Sequence, residues 1–451
     1  MALTINPFTN KSVYSYEVLT KKMIDEKLIE SDRCYMLWKN VKIENRKKNL
    51  SQLSKILISQ KNLLGAMISQ EMGKPIKQSI AEIEKCSLLC DYYFDHVTSF
   101  LSGRAIKTDA KESFVTYEPL GVLLGVMPWN FPFWQVFRFA IPSIMAGNTV
   151  VMKHASNVMG SAALIEKIFI DAGFPIGVYQ NLEISSKEVA DIIANPIVKA
   201  VSLTGSEGAG SAVAATAGKY LKKTLLELGG SNAFIVCEDA DIKKTVAIAV
   251  NARMQNAGQS CIAAKRFLVH DKIHDDFVKQ FAEAVSKMIP GDPMDMKTEI
   301  GTMSRIDLAE ELEKQMNTSV KMGAVIATGG KRKDAFFEPT ILTHVTPDMP
   351  AFNEELFGPI AAVTSFSDFD EAVNLSNQSS FGLGVSIFSA DVEFVKTKIH
   401  LFNEGAVFIN QMIKSDPRLP FGGIKKSGYG RELSEEGIKE FVNIKTVFIA
   451  E

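Results

Sequence analysis

The chain has 451 residues, of which 46% are hydrophobic and 23% charged, and its formal net charge is −2. That length exceeds one ordinary hydrophobic core, so we expect two or three domains. The near-neutral balance contains no block of like charge, which excludes nucleic acid and acidic membrane surfaces from the expected partners.

The first residues and the cysteines bear on the compartment. Met1–Pro7 lacks the basic region and the long apolar core of a secretory signal peptide. No window is apolar for the length that a membrane span requires. Five cysteines without paired spacing favour a reducing compartment, so we expect a cytoplasmic protein. Cys86 and Cys90 share a helix face, but with only six scattered histidines we expect core packing there and no metal site.

The N-terminal part is predicted to be helical, with a β extension after it. From Ser31 to Phe100 the apolar positions recur at helical spacing with little Pro or Gly, which indicates two or three helices. Ser113–Tyr117 then alternates in the manner of a strand. Pro119–Val126 is typical of a short buried strand.

Beyond residue 148 strands alternate with helices, which predicts parallel sheets covered by helices on their faces. The first series comprises Thr149–Lys153, Val158–Ala172, Val178–Ile184, Ser185–Ala194 and Val198–Thr204. The second series comprises Asn232–Cys237, Ile242–Gln255, Lys265–His270, Asp271–Met288, Ala361–Phe366, Phe369–Ser376 and Gly384–Ser389. Lys445–Ala450 is a lone strand without a local partner, so we expect it to pair with another chain.

A turn with several small residues, Leu203–Gly210, joins a predicted strand to a predicted helix. Small residues there allow the pyrophosphate of a dinucleotide to approach the backbone N–H groups at the helix start. The spacing of Gly205 and Gly210 differs from the usual Gly-x-Gly-x-x-Gly. An ordinary strand-to-helix turn is therefore an equal interpretation of this motif alone.

Two prolines bracket Trp-Asn-Phe in the segment Pro128–Pro132. They stiffen the loop and so fix the direction of the Asn130 side-chain amide. A fixed amide N–H is the group that stabilises an oxyanion. The alternative is a structural loop in which Asn130 bonds to its own backbone.

Three further segments contain residues suited to catalysis or binding. Gly258–Cys261 places one cysteine behind a glycine turn, where its thiol is either a nucleophile or a small core residue. Glu227 ends an apolar run, and partial burial would raise its pKa towards the range of a general base, unless the carboxylate is simply solvated. Glu354–Pro359 pairs two carboxylates before an aromatic residue and a turn, and these either bind ribose hydroxyls or cap a loop.

These motifs, in this order, resemble the aldehyde dehydrogenase superfamily from Ile5–Pro7 to Pro420–Gly428. The resemblance implies an α/β fold with a Rossmann-type cofactor domain over residues 1–227, interrupted by a small β oligomerisation extension over 103–120. It also implies an α/β catalytic domain over 228–422 and a return segment over 423–451 that ends in an oligomerisation strand. A homodimer or homotetramer is the expected assembly.

The resemblance also implies a role for each catalytic motif. Cys261 matches the nucleophile that attacks the aldehyde carbon and later carries a thioester. Asn130 matches the side chain that, together with the Cys261 backbone N–H, stabilises the oxyanion. Glu227 matches the base that activates water for hydrolysis. Ser260 and Ile262 flank the nucleophile, so the adjacent-cysteine disulfide of some relatives is not expected.

A nicotinamide cofactor is implied as well, and NADP is slightly favoured over NAD. NAD-selective relatives place a glutamate three residues after the lysine at the adenosine ribose, and here Ser156 follows Lys153 at that spacing. Without that carboxylate the site can accept a 2′-phosphate. The expected cofactor-binding residues are Trp129, Lys153, Ser156, Gly205, Ser206, Gly210, Leu228, Glu355 and Phe357.

Within the superfamily the chain is similar to the short bacterial succinate-semialdehyde dehydrogenases, which implies a substrate with a carboxylate at its far end. Arg138 and Ser415 match the arginine and hydroxyl that bind this carboxylate, and Arg418 is a further cation nearby. Longer members carry a second arginine where this chain has Gln255. The alternatives are a broader-specificity aldehyde or other semialdehyde dehydrogenase, a CoA-acylating relative, and a non-catalytic binding protein on the same fold.

Overall fold

The structure, a computed structural model, describes residues 1–450 and is organised around two largely parallel sheets. In spatial order the strands of the first sheet are Gly428–Tyr429, Lys223–Glu227, Val198–Thr204, Val122–Met127, Thr149–His154 and Tyr179–Asn181. Gly428–Tyr429 runs antiparallel to its neighbour, and the other pairs are parallel. Glu227 therefore ends a strand at the carboxyl edge of this sheet.

The second sheet begins just after the first, because Asn232 opens one of its central strands. In spatial order its strands are Val325–Thr328, Thr340–Thr343, Ile360–Phe366, Ala264–His270, Asn232–Val236, Val385–Phe388 and Val407–Ile409. Val325–Thr328 pairs antiparallel, and the remaining pairs are parallel. The assignment of residues 1–227 and 228–422 to cofactor-binding and catalytic domains stays a prediction.

A three-stranded antiparallel sheet contains the end of the chain, in the order Val442–Ile449, Glu112–Pro119, Arg104–Ala105. Three two-stranded ribbons complete the strands: Ala2–Ile5 with Ser12–Tyr16, Arg332–Lys333 with Phe336–Phe337, and Phe381–Gly382 with Ile424–Lys425.

The helices cover the faces of both sheets. Their bounds are Lys21–Trp38, Ile43–Met72, Ile76–Phe100, Trp134–Met145, Met159–Asp171, Val189–Ala194, Glu207–Lys219, Ile242–Met254, His274–Ser286, Ile306–Lys321, Pro350–Asn353, Phe369–Asn377, Val392–Lys398 and Ser434–Lys439. Among residues 1–450 no helix is both long and apolar enough to cross a bilayer.

Local sequence explains where many helices begin and what they bury. The side chains of Thr20, Ser206 and Asp241 each accept a hydrogen bond from the backbone N–H three residues later, which caps the following helix. Cys86 and Cys90 are fully buried in the apolar core between the long N-terminal helices and the first sheet. The predicted helical N-terminal part and the strand–helix alternation are confirmed.

Two predicted boundaries in the first sheet are wrong. The strand predicted over Val178–Ile184 is confined to Tyr179–Asn181. Leu182 N still donates to Met152 O at 2.8 Å, but Ile184 N bonds back to Leu182 O at 2.9 Å, and this tight turn ends the strand. The predicted helix Ser185–Ala194 begins only at Val189. The Ser185 hydroxyl accepts from Lys187 N, so it caps a separate single turn.

The prediction for the end of the chain is also wrong in one respect. The partner of Val442–Ile449 belongs to the same chain and not to another one, since all eight of its residues pair with Glu112–Pro119. The two segments are more than 300 residues apart in sequence, and that distance hides the pairing from local patterns.

Candidate active site

The nucleophile loop leaves the helix Ile242–Met254 through a strained turn. Asn256 and Ala257 have φ of 54° and 50°, and Gly258 has φ of 71°. A Cβ at Gly258 would collide with the carbonyl group of Gly358, so only glycine fits that position. The tight turn fixes the direction of the backbone that leads to Cys261.

Two buried side chains hold the backbone on either side of the Cys261 thiol. Lys265 Nζ donates to Ser260 O at 2.9 Å and to Cys261 O at 3.0 Å. Asn232 Nδ2 donates to Cys261 O at 2.6 Å and to Ala263 O at 3.2 Å. These bonds join the nucleophile loop to the central strands of the second sheet, which makes the loop rigid.

The Asn130 amide lies against the same loop. Asn130 Nδ2 donates to Gln259 O at 3.1 Å, and Asn256 Nδ2 donates to Asn130 O at 2.8 Å. Asn130 is 3% exposed. An amide carries two N–H donors, so the bond to Gln259 leaves one for a ligand beside Cys261.

Glu227 lies in a buried cluster of charged groups with Arg138 and Glu432. The Arg138 guanidinium contacts the Glu432 carboxylate, and both side chains are 2% exposed. Burial raises the pKa of Glu227 well above its usual range; the positive charge of Arg138 lowers it in part, and the carboxylate of Glu432 raises it further. A carboxyl group with a raised pKa binds a proton more tightly than an ordinary glutamate does.

Burial also determines the resting state of the nucleophile. It raises the pKa of the Cys261 thiol to about 11, although the positive charges of Arg138 and Lys265 act in the opposite direction. Glu227 and Glu355 add to the increase. In the ligand-free protein the thiol is therefore neutral at physiological pH, and thiolate formation has to accompany substrate attack.

A cavity of about 180 Å³ opens in front of Cys261. Arg138 and Ser415, two of the three residues expected at the substrate carboxylate, line it. Gln255 lines it as well, at the position where the longer relatives are expected to have an arginine. Lys85, from the helix Ile76–Phe100, is the other cation in the lining.

Arg418 is not brought to this cavity, which corrects the expectation that it assists substrate binding. Its Nε donates to Asp416 Oδ1 at 2.8 Å and its Nη2 to Asp416 Oδ2 at 2.6 Å. The arginine side chain is 75% exposed and belongs to a surface turn. Only one residue separates Asp416 from Arg418, so Arg418 forms a local ion pair with Asp416 and does not extend into the cavity.

The turn Gly205–Gly210 fits the pyrophosphate of a dinucleotide. Ser206 caps the helix Glu207–Lys219, and a Cβ at Gly208 would meet no heavy atom within 4 Å, so the space before the helix is open. A Cβ at Gly210 would lie 2.6 Å from the end of the Leu228 side chain, so a larger residue there would displace that side chain where the helix packs on the strand end. Free N–H groups facing open space at a helix start are suited to a phosphate.

Lys153 and Ser156 lie at the end of the strand Thr149–His154 and in the turn after it. Burial lowers the pKa of Lys153, and Glu188 opposes that change weakly. Ser156 is exposed, and its carbonyl accepts a long bond of 3.4 Å from Tyr16 Oη. An exposed hydroxyl and a cation offer no repulsion to a ribose 2′-phosphate.

Glu355, Phe357 and Trp129 gather around Lys265. Glu355 Oε1 accepts from Gly230 N at 2.9 Å and forms an ion pair with Lys265 at 3.1 Å. The ring of Phe357 lies edge-on to Trp129 with centroids 5.7 Å apart. The carboxylate is held in place while remaining accessible, as a group that binds ribose hydroxyls must be.

Several residues of the site are absent from the sequence predictions. Lys265 follows Cys261 by four positions in a wholly buried strand, and two adjacent cations in such a strand, Lys265 and Arg266, are a signal that sequence reasoning can use. Glu432 and Lys85 carry no such local signal, because their partners in the site are far away in sequence.

Comparisons with known proteins agree with this geometry. The sequence profile described as "Aldehyde dehydrogenase family" matches residues 2–447. The probable succinate-semialdehyde dehydrogenase [NADP(+)] of Synechocystis is 44% identical over 99% of each chain. The succinate semialdehyde dehydrogenase [NAD(P)+] of Escherichia coli is 42% identical over 99% of this chain and 97% of its own. The crystal structure of the Streptococcus pyogenes succinic semialdehyde dehydrogenase with NADP+ superposes with a TM-score of 0.98 at 36% identity and covers 100% of both chains.

Proposed function

The chain belongs to the aldehyde dehydrogenase family, and from this premise we propose that it oxidises succinate semialdehyde to succinate, with NADP preferred over NAD as the hydride acceptor. The observation that carries the proposal is one cavity that contains a thiol, Cys261, together with an arginine and a hydroxyl, Arg138 and Ser415. A thiol suits the aldehyde carbon, and the arginine–hydroxyl pair suits a carboxylate at the far end of a short chain.

In the proposed first step the Cys261 thiol releases its proton to solvent while its sulfur forms a bond to the aldehyde carbon. The carbonyl oxygen becomes an oxyanion, and the free N–H of Asn130 Nδ2 is placed to donate to it. The hydride that the carbon then loses goes to the nicotinamide cofactor, which supplies the oxidising power of the reaction. An acyl thioester remains on Cys261.

In the second step Glu227 removes a proton from water, and the resulting hydroxide attacks the thioester carbon. The carbon–sulfur bond breaks, the acid leaves, and Cys261 regains its proton. Burial makes Glu227 a stronger base than an ordinary glutamate, because its raised pKa increases its affinity for the proton of water. The strand end that carries Glu227 places this base at the border between the two sheets.

The cofactor preference is supported by the environment of Lys153 and Ser156. A ribose 2′-phosphate adds negative charge, which Lys153 attracts and Ser156 does not repel. The relatives from Synechocystis and Escherichia coli are named for NADP(+) and NAD(P)+ respectively. We therefore infer that NADP is the better cofactor and that NAD is also accepted.

We also propose a cytoplasmic homo-oligomer, dimer or tetramer. Ile444 and Phe448 on the C-terminal strand are 60% and 55% exposed, and apolar side chains on an edge strand are suited to contact with another subunit. The five cysteines are all free, which agrees with a reducing compartment.

The test is a measurement of kcat/KM by absorbance at 340 nm with succinate semialdehyde, glutarate semialdehyde and butanal, each with NADP and with NAD. The proposal predicts the highest value for succinate semialdehyde with NADP. A preference for butanal would contradict the proposed substrate. A rate that depends on added coenzyme A would favour the CoA-acylating alternative, which Glu227 argues against.

A further inference from the structure

We propose that Lys85 is a substrate-binding residue whose ammonium group, together with Arg138 and Ser415, binds the carboxylate at the far end of the aldehyde substrate. The inference rests on the proposed function, because it names a residue that recognises the carboxylate of the proposed substrate. Lys85 thereby determines the preference for carboxylated aldehydes over uncharged ones.

The position of Lys85 supports this role. It projects from the helix Ile76–Phe100 into the cavity that Cys261 and Arg138 line. Its Nζ lies 4.0 Å from the centroid of the Trp134 ring, so the aromatic face fixes the direction of the ammonium group. A cation held in this way is ready for a ligand without loss of side-chain freedom on binding.

Lys85 has no anionic partner in the described residues, where no carboxylate oxygen lies within the 4.0 Å of an ion pair. The two acidic residues that face it are engaged elsewhere. Glu82 binds Lys74 at 2.5 Å. Asp416 binds Arg418 at 2.6 Å. A partly buried cation without a counter-ion is costly in a ligand-free protein, and an anionic ligand relieves that cost.

The hydroxyl group of Ser415 adds a hydrogen-bond donor to the proposed anion site. Its Oγ accepts from Lys85 Nζ at 2.7 Å and from Trp134 Nε1 at 3.0 Å. A hydroxyl oxygen has two lone pairs, and both are occupied by these donors. The remaining O–H must therefore donate to something else, and the cavity lies in front of it.

The lowered pKa of Lys85 agrees with an ammonium group that has no anionic partner. Burial and then the charge of Arg138 lower the pKa of Lys85 to about 8, against weaker opposition from Cys86, Glu82 and Asp416. A bound carboxylate adds a negative charge beside the ammonium group and stabilises its charged form.

Lys85 also accounts for the missing second cation of the site. The longer relatives are expected to have an arginine where this chain has Gln255, and Arg418 faces solvent. Gln255 lines this cavity from the start of the nucleophile loop, and Lys85 lines it from the helix Ile76–Phe100. The positive charge is thus supplied from the N-terminal helical region, whereas the longer chains supply it from the nucleophile loop.

The test compares wild type with Lys85→Met, which removes the charge and keeps the aliphatic stem. Lys77→Met, an exposed lysine on the same helix, is the matched control. A charge-assisted hydrogen bond contributes about 1.5–3 kcal/mol, so Lys85→Met should lower kcat/KM for succinate semialdehyde by roughly 10- to 150-fold. The loss should appear mainly in KM. The kcat/KM for butanal should change by less than about threefold, and Lys85→Arg should keep most of the preference.

Equal losses for succinate semialdehyde and butanal in Lys85→Met would assign Lys85 a structural role and overturn the inference. No loss for either aldehyde would overturn it as well. Lys85→Gln keeps a polar group against Ser415 and repeats the comparison where methionine impairs folding, with the same expected selectivity. A wild type that does not prefer succinate semialdehyde to butanal would instead contradict the proposed function, so the two failures are distinguishable.

Discussion

At the residue scale, the site contains two titratable groups, Glu227 and Cys261, whose pKa values lie above their usual ranges. Burial raises the pKa of Glu227 well above its usual range and that of the Cys261 thiol to about 11. Arg138 is the shared cation that lowers both. An anion that binds Arg138 offsets this positive charge, so it should raise the pKa values of both groups together.

The first prediction concerns the base. Glu227 acts only when deprotonated, and its pKa is raised, so thioester hydrolysis should accelerate as the pH rises through that pKa and should level off above it. Glu227→Gln should slow hydrolysis by about 10²- to 10⁴-fold and remove this pH dependence. Stopped-flow absorbance at 340 nm separates the burst of the first turnover from the steady state. A variant with a wild-type steady-state rate and the same pH profile would contradict the assignment.

The second prediction concerns the oxyanion donor. Asn130→Ala removes the amide N–H that we propose as the oxyanion donor, and loss of one such donor lowers kcat by about 10²- to 10³-fold. The change should fall on kcat because the donor acts in the transition state. Asn40→Ala is the control, since that exposed amide bonds only the carbonyl group of Met36 at the end of the preceding helix. An Asn130→Ala variant that changes only KM would refute the role.

Cys261, Asn130 and Glu227 could be singled out from sequence because each stands in a short motif with unusual neighbours. Lys85 could not, since its bond to Ser415 spans 330 positions along the chain. Asn232 lies 29 positions before Cys261, and its side chain donates to the Cys261 carbonyl group. The two residues meet because the strand that Asn232 begins pairs with the strand that follows Cys261. Supporting residues escape local patterns because the contact that defines them is tertiary.

At the element scale, one buried ion pair fixes the loop that carries Asn130. Glu82 Oε1 accepts from the backbone N–H groups of Phe133 at 2.9 Å and Trp134 at 3.0 Å. Its other oxygen binds Lys74, whose Nζ also lies 4.0 Å from the ring centroid of Phe131. The carboxylate thus caps the helix Trp134–Met145 and holds its entry loop in place.

The third prediction follows from that pair. Glu82→Ala leaves Lys74 buried without a partner, which should cost about 3–5 kcal/mol of stability and lower the melting temperature. The exposed pair of Lys61 and Glu84 on the neighbouring helix surface provides the control, because Glu84→Ala should cost about 1 kcal/mol or less. The double variant Lys74→Met/Glu82→Leu should recover part of the loss. Equal melting temperatures for Glu82→Ala and Glu84→Ala would contradict this account.

Elements were predictable where periodicity was strong and local. The strand Val198–Thr204 and the helix Phe369–Asn377 follow their predicted bounds within a residue. The segment before Val189 was not predictable, because a serine cap fits a single turn as well as a helix. The C-terminal strand was recognised, but its partner was not, since pairing over such a distance depends on the whole fold.

At the scale of the whole molecule, the reacting groups come from both sheets. Asn130 follows a strand of the first sheet, and Cys261 precedes a strand of the second. The bond from Asn130 to Gln259 therefore joins the two halves at the reacting centre. Catalysis in this arrangement depends on how the two halves are held together.

The fourth prediction concerns assembly. If the C-terminal strand contacts another subunit, Ile444→Asp with Phe448→Asp should shift the protein to a smaller species in analytical ultracentrifugation, because two charges would be placed in an apolar contact. Ile170→Asp with Ile176→Asp, two other exposed apolar residues, is the control. A wild type that sediments as a monomer would contradict the proposed oligomer.

The most direct test of the reaction is to trap the acyl group on the nucleophile. Glu227→Gln is mixed with NADP and succinate semialdehyde, quenched in acid and analysed by peptide mass spectrometry, with Cys261→Ala treated in the same way. We expect one succinyl group on the peptide that contains Cys261, and none in the Cys261→Ala variant. An unmodified Cys261 peptide, or an equal adduct in the Cys261→Ala variant, would contradict succinate semialdehyde oxidation through a Cys261 thioester.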